Sequence, residues 1–189
     1  MPETTDDVSR KLQHPRRSLG NRHRSQAVKF LSLADSDSQN LEWAEQSARQ
    51  AVLHDFTNPQ NWRTLVQVKL ATGDDSGIRA VLNELFTILG RDPEALSQLD
   101  GVSMIESGSA ILEASLKADS LDPDEWWESV SQSDDALVEF IERVNNLDLS
   151  DQRANLLFSR RLERVRDTGM EEQYLKLSRV LLAQRPSNH

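Results

Sequence analysis

Apolar residues recur along most of this chain at intervals of three and four positions. That spacing places side chains on one face of an α-helix. The first such stripe consists of Ala27, Phe30, Leu31 and Ala34. No segment shows the alternation of Val, Ile and Thr with polar residues that is typical of a half-buried β-strand. The pattern therefore predicts an all-α protein.

Further stripes of the same kind continue to the end of the chain. Their apolar residues are Ala44, Ala48, Ala51 and Val52; Trp62, Leu65, Val66 and Leu70; Ile78, Val81, Leu82, Leu85, Phe86 and Leu89; Leu137, Phe140, Ile141 and Val144; Leu157, Phe158, Leu162 and Val165; and Tyr174, Leu177 and Leu181. Between residues 94 and 121, glycines and serines interrupt the pattern, so we expect two helices joined by a loose turn there. In all, the stripes predict about ten helices.

Short segments with proline or glycine separate the stripes. Asn58-Pro59 and Asp122-Pro123 each combine a good N-cap residue with a proline that suits the first helical turn, where its missing N–H has no helical partner. Gly73 and Gly90 are placed to end the helices that follow Asn58. The sequence therefore predicts a helical hairpin from Asn58 to Gly90.

The proline segments share a longer pattern. Asn58-Pro59-Gln60-Asn61-Trp62, Asp92-Pro93-Glu94-Ala95-Leu96 and Asp122-Pro123-Asp124-Glu125-Trp126 all contain Asn or Asp, then Pro, two further residues and a large apolar residue. Their prolines follow one another at intervals of 34 and 30 residues. Self-similarity at such a period is the sequence signature of proteins built from repeated helical hairpins.

This pattern resembles the tetratricopeptide-repeat (TPR) family, which has a period of 34 residues. Trp62, Leu65 and the Gly73-Asp74 turn match the family's first-helix and turn positions. Small residues of the family's second helix are matched in the preceding helix by Ala44, Ala48 and Ala51. The family's Tyr in the first helix is replaced by Lys69. The repeats are therefore degenerate.

The resemblance implies antiparallel helical hairpins stacked as a short, right-handed, TPR-like solenoid. Such a repeat domain would cover residues 23–186 and leave residues 187–189 as a C-terminal tail. The alternative is an irregular helical bundle with hairpin connections.

In the TPR family, first-helix residues line a concave groove that holds the partner. The resemblance therefore implies partner-binding residues at Gln60, Arg63, Gln67, Trp127, Ser131, Ser159 and Glu163. Among them Trp127 is the best aromatic candidate, because an inward-packed Trp126 would leave it rotated by about 100° around the helix. A groove of mixed charge suits a helix or extended peptide with basic and apolar groups. We expect a non-enzymatic scaffold or adaptor.

The charge distribution suggests an alternative function. The chain has a net charge of −9, yet residues 1–24 contain six Lys or Arg and three acidic residues, which gives +3. Residues 1–22 are polar, contain two prolines and are predicted to form a disordered basic arm. Arg16, Arg17, Arg22 and Arg24 would bind nucleic acid in this alternative, whereas the acidic remainder argues against it.

No motif for catalysis or for a cofactor is found in the sequence. There is no cysteine, no Gly-x-Ser-x-Gly elbow and no phosphate-binding loop. The four histidines, His14, His23, His54 and His189, never pair at the i, i+4 spacing of helical metal ligands. We therefore expect no enzyme activity, no cofactor and no metal site.

The composition favours a cytoplasmic protein without membrane insertion. No apolar run approaches the roughly 20 residues that cross a bilayer, and the first thirty residues lack the apolar core of a signal peptide. The oligomeric state stays open, because Leu175 and Leu182 add apolar residues to a second side of the last helix.

Overall fold

The computed structural model describes residues 15–92, 94–145, 151–167 and 171–184. These residues form ten α-helices and no strand, which confirms the all-α prediction. The helices are α1 (Pro15–Ser32), α2 (Gln39–His54), α3 (Pro59–Ala71), α4 (Asp75–Ile88), α5 (Glu94–Ser97), α6 (Met104–Ala118), α7 (Pro123–Val130), α8 (Asp134–Asn145), α9 (Gln152–Asp167) and α10 (Glu171–Gln184). The predicted tail at 187–189 lies outside the described residues.

The described residues form two compact units. The first contains residues 15–81 and 103–112, and the second contains the remaining ones. Helices α4 and α6 contribute residues to both units. A single repeat domain over residues 23–186 stays a prediction.

Three helices make most of the first unit. Helix α1 packs along α2, and α3 packs against both of them. Ala27 of α1 and Ala44, Ala48 and Ala51 of α2 are fully buried. Such small side chains allow helix axes to approach closely. The alanine stripe predicted from the sequence therefore lies in the contact between these helices.

Helix α1 begins earlier than predicted. It starts at Pro15, so the prediction of disorder up to residue 22 is wrong for residues 15–22, and residues 1–14 lie outside the described residues. Buried Gly20 brings α1 so close to the end of α2 that an added Cβ would lie 2.9 Å from Asp55 Cβ. Arg24 donates a hydrogen bond to Asn61 Oδ1 at 3.1 Å. These small and polar contacts hold the helix, and hydrophobic periodicity does not reveal them.

The predicted N-caps are confirmed in both units. Asn58 has an extended backbone, and its side chain accepts the N–H of Gln60 at 3.0 Å. Asp122 accepts the N–H groups of Asp124 and Glu125 at 2.8 and 3.2 Å. Helices α3 and α7 therefore start where the Asn/Asp-Pro pattern places them.

Of three tryptophans near helix starts, two are buried and one is not. Trp62 is completely buried, and its indole N–H donates to the carbonyl of Phe56 at 2.7 Å. Trp126 is also buried. In contrast, Trp43 is 42% exposed and contacts Phe30 with ring centroids 5.4 Å apart. Trp43 therefore lies at an edge of the first unit.

The predicted two helices between residues 94 and 121 are confirmed as α5 and α6, with the turn at residues 98–103. Gly108 does not break α6 but lies buried inside it against Ile78. The start of α6 is capped from a distance, because Asp75 Oδ1 accepts the N–H groups of Met104 and Ile105 at 2.7 and 3.1 Å. Asp75 is the first residue of α4, so this carboxylate joins the starts of two helices.

Lys69 is a charged residue inside the apolar stripe of α3. Its ammonium group pairs with Glu45 at 2.6 Å and with Asp74 at 3.0 Å. Burial alone would lower the pKa of Lys69, but the hydrogen bonds to the two carboxylates outweigh it and raise the pKa above its ordinary value. Lys69 therefore links α3 to α2 through an ion pair.

The second unit is built around aromatic rings from three helices. Helix α9 packs against α7 and α10, and α8 contacts α7 and α10. Trp126 of α7 lies against Phe140 of α8, with ring centroids 4.7 Å apart, and Phe140 stacks on Phe158 of α9 at 5.7 Å. All three side chains are buried.

Within the described parts of the chain, no helix combines the length and apolar character needed to cross a bilayer.

Gly20→Ala tests the close approach of α1. An alanine stabilises a free helix by about 0.5–1 kcal/mol relative to glycine, but here the new Cβ would meet Asp55 Cβ and Asn61 Nδ2 at 2.9 and 3.3 Å. We expect a net loss of about 1 kcal/mol or more in the free energy of unfolding, measured by urea denaturation. Ser18→Ala, at an exposed position of the same helix, is the control. A gain in stability for Gly20→Ala would contradict the packing described.

Asp75→Ala tests the distant cap of α6. Loss of the acceptor for Met104 and Ile105 N–H groups should lower the free energy of unfolding by about 1–2 kcal/mol. Asp75→Asn keeps an oxygen acceptor at the same position and should retain most of the stability. Equal losses for the two variants in urea denaturation would contradict the role given to the oxygen acceptor.

Candidate functional site

The predicted groove residues of the first unit lie on one face of α3. Gln60, Arg63 and Gln67 are spaced three and four residues apart, so they share a side of the helix. Gln60 and Gln67 are exposed, and Arg63 is half-buried. The fully buried residues Trp62 and Val66 lie next to them in sequence and face the core. The α3 positions are therefore arranged as a surface, as the sequence predicts.

The other four predicted groove residues belong to the second unit. Trp127 and Ser131 lie one turn apart at α7, where Trp127 is half-buried and Ser131 is the exposed C-cap. Ser159 is half-buried and Glu163 is exposed, one turn further along α9. That all seven residues line one groove remains a prediction.

Trp127 is placed as the sequence argument expects. Trp126 packs inward and is buried, while Trp127 is turned away and keeps part of its surface accessible. The two rings contact each other at a tilt of 45°, with centroids 6.0 Å apart. The buried ring of Trp126 therefore packs against the accessible ring of Trp127.

The basic residues near the N-terminus do not form a stripe. Arg16, Arg17 and Arg22 are exposed on α1. At about 100° per residue they lie roughly a third of a turn apart around the helix. Arg24 is engaged with Asn61 Oδ1. The positive charges of α1 are therefore spread around the helix rather than gathered on one phosphate-binding face.

The second unit contains a buried ionic cluster that sequence reasoning missed. We call it the Asp119 cluster, and it consists of Arg91, Asp119, Arg143 and Arg161. Asp119 Oδ2 accepts from Arg91 Nε at 3.3 Å and from Arg143 Nη1. Its other oxygen, Oδ1, accepts from Arg161 Nη2 at 3.0 Å. One buried carboxylate therefore holds three guanidinium groups, from the α4–α5 loop, α8 and α9.

Arg161 is the most deeply buried member of the cluster. Its side chain is 0% exposed and its guanidinium lies over the rings of Trp126 and Phe158, at 5.1 and 5.2 Å from the ring centroids. Nη2 also donates to the carbonyl of Ser120 at 2.9 Å. Cation–π contact of this kind partly replaces the lost hydration of the cation. Arg161 therefore joins α9 to the aromatic core of the unit.

Electrostatic strain remains in the cluster. Burial lowers the pKa of Arg161 to about 10, helped by the positive charges of Arg143 and Arg91 and opposed by Asp119. Among the residues that the structure describes, Nε and Nη1 of Arg161 and Nε of Arg143 are buried without a hydrogen-bond partner. Three guanidinium groups surround this one carboxylate, so positive charge exceeds negative charge around Asp119.

A signal for this cluster exists in the sequence. Arg161 stands three residues after Phe158 and four before Val165, in the middle of the apolar stripe of α9. A charged residue at a core position requires a buried partner of opposite charge. Sequence alone cannot say which of the chain's 31 acidic residues supplies it.

The structure also brings two histidines together. His23 and His54 stack face to face, with ring centroids 5.1 Å apart and ring planes 3° from parallel. The nitrogen lone pairs of stacked rings lie in two parallel planes and do not converge on one ion. Among the residues described, no group of three or more His, Asp or Glu is placed to hold a metal ion.

Comparison with known proteins identifies no relative: no family model, curated protein or solved structure matches this chain.

Asp119→Asn tests whether the cluster stabilises the second unit. The substitution leaves Arg161 buried without its counterion, so we expect a loss of about 3–5 kcal/mol in the free energy of unfolding. Asp124→Asn is a matched control, because Asp124 pairs with Arg164 and both side chains are largely exposed. That variant should lose less than about 1 kcal/mol.

Adding Arg161→Met to Asp119→Asn removes the uncompensated buried cation. We expect the double variant to regain part of the lost stability in urea denaturation. Equal stability of the Asp119→Asn and Asp124→Asn proteins would contradict the role given to Asp119.

Proposed function

We propose that this chain is a non-catalytic, TPR-like protein that binds a peptide or protein surface through the first-helix face of its repeats. The observation that carries the proposal is the common fold of the three repeated segments. In each, the Asn or Asp side chain accepts the N–H two residues further on, at Gln60, Glu94 and Asp124, over 3.0, 2.9 and 2.8 Å. The large apolar residue four positions after the cap is buried each time, as Trp62, Leu96 and Trp126.

The two longer copies present the same positions to solvent. Arg63 and Trp127 each follow the cap by five residues and are half-buried, while Gln67 and Ser131 follow it by nine and are exposed. Residues with equal registers in repeated helices occupy equivalent places on a repeat surface. This agreement supports an equivalent binding position in each of the two copies.

Packing in the first unit fits the same proposal. Helices α1 and α2 form a hairpin, and α3 packs on both. In a helical repeat protein each hairpin buries its apolar face against the next one. The contact of α3 with both preceding helices is what a stacked second hairpin requires.

The chemistry of the face favours a partner with apolar and basic groups. The accessible part of the Trp127 ring is a platform for an apolar or cationic side chain. Glu163 adds a negative charge, and the Gln60 and Gln67 amides supply donors and acceptors for an extended backbone. A short helix or extended segment of another protein is the proposed ligand.

The proposal is tested by changing Arg63 and Trp127 to Ala together in the full chain. Once a partner has been captured and identified, its Kd is measured for the wild type and the variant. Loss of two central contacts should weaken binding at least about tenfold, which corresponds to 1.4 kcal/mol.

The matched control changes the same two residue types elsewhere in the first unit. Trp43 and Arg49 lie on α2, are both partly exposed, and do not belong to the proposed face. Trp43→Ala with Arg49→Ala should leave Kd unchanged, with helix content checked by circular dichroism. Full binding by the Arg63/Trp127 variant, or equal loss in both variants, would refute the proposed face.

A further inference from the structure

We propose that Arg91 and Arg143 form the entrance of an oxyanion-binding site in the second unit, which takes a carboxylate or phosphate group. The Asp119 cluster contains more positive than negative charge. Three guanidinium groups surround the single carboxylate of Asp119. Glu139 adds only a distant contact to Arg143, at 3.5 Å and from a side chain that is 64% exposed. Among the described residues, positive charge therefore exceeds negative charge in the cluster, and a bound oxyanion would offset the excess.

Within the described part of the chain, the cluster also contains buried donors without acceptors. Arg161 is completely buried, yet its Nε and Nη1 have no acceptor, and neither does Nε of Arg143. A buried N–H without an acceptor costs about 1–3 kcal/mol, and more when the group is charged. An anion held by Arg91 and Arg143 would supply negative charge that this cluster lacks.

The exposed fractions of the four side chains show which side of the cluster faces solvent. The side chains of Arg91 and Arg143 are 32% and 18% exposed, whereas those of Asp119 and Arg161 are 1% and 0% exposed. An anion that approaches from solvent therefore meets Arg91 and Arg143 first. The buried members lie behind them and hold them in place.

The two entrance arginines are already ordered. Asp119 Oδ2 binds both of them, and Arg143 Nη1 also donates to the carbonyl of Leu89 at 3.2 Å. Fixing the side chains before binding reduces the entropy lost when the anion arrives. Guanidinium forks match planar or tetrahedral oxyanions in bidentate geometry, which a spherical chloride ion cannot use.

The charge of the rest of the protein distinguishes this site from other parts of the chain. The protein carries a net charge of −9, so most of its surface repels anions. A local excess of positive charge in such a chain is a distinct location for an oxyanion. The oxyanion site does not rest on the proposed protein-binding face, and each of the two proposals is tested independently.

The test uses thermal unfolding of the full chain with inorganic phosphate or succinate. Each is compared with sodium chloride at equal ionic strength, which removes general salt effects. We expect a saturable rise in Tm of about 2–4 °C once the anion is several-fold above its Kd. A response to phosphate alone, or to succinate alone, identifies which oxyanion the site prefers, and no response to either overturns the proposal.

Variants assign the response to the cluster. Arg91→Gln should weaken anion binding at least tenfold, and Arg91→Lys, which keeps the charge but loses the fork, should have an intermediate effect. Arg164→Gln is the matched control, because Arg164 is an exposed arginine of the same unit that pairs with Asp124. An undiminished response in Arg91→Gln, or an equal loss in Arg164→Gln, overturns the proposal.

A spectroscopic measurement keeps the test valid if a variant folds poorly. The Nε–H signals of the arginines are followed in the wild-type protein by ¹⁵N NMR while phosphate or succinate is added. Signals of Arg91, Arg143 and Arg161 should shift together along one saturation curve. Unchanged signals at concentrations that raise Tm would place the anion elsewhere and reject the site.

Discussion

The second unit depends on one buried carboxylate. Asp119 follows directly after α6 and binds arginines from the α4–α5 loop, α8 and α9. Burying a guanidinium group costs several kcal/mol unless charge and hydrogen bonds replace its hydration. Asp119, the Ser120 carbonyl and the rings of Trp126 and Phe158 together supply that replacement for Arg161. Any arrangement that moves α9 by one residue would remove these partners at once, so the cluster fixes the register of α9.

The first unit also contains a cation within an apolar helix face, but its ion pairs are partly exposed to solvent. Lys69 lies in the apolar stripe of α3, and its ammonium group reaches carboxylates at the unit's edge. Its partners, Glu45 and Asp74, are about one-third exposed, so water shares in solvating this pair. Both units therefore orient a helix by placing one cation among apolar residues, but only the second buries that cation with its counterion.

Local signals in the sequence were enough to locate most helices. Asn58 and Asp122 act as the N-caps that their chemistry predicts, and Trp62 and Trp126 are buried where the repeat pattern places them. Contacts between distant residues were not predictable. The start of α1 rests on Gly20 packing against Asp55, and Arg161 meets an acidic residue 42 positions away. The candidate binding positions of α3 and α7 came from the resemblance: Gln60, Gln67 and Ser131 are exposed, and Arg63 and Trp127 are half-buried.

Long-range capping has a consequence for the order in which the chain folds. Helix α6 obtains its N-terminal acceptor from Asp75, which precedes Met104 by 29 residues. An isolated α6 segment lacks that acceptor, so its first turn frays until α4 is beside it. During synthesis Asp75 leaves the ribosome before Met104. The Asp75 carboxylate is therefore already available to accept the first N–H groups of α6 when that helix forms.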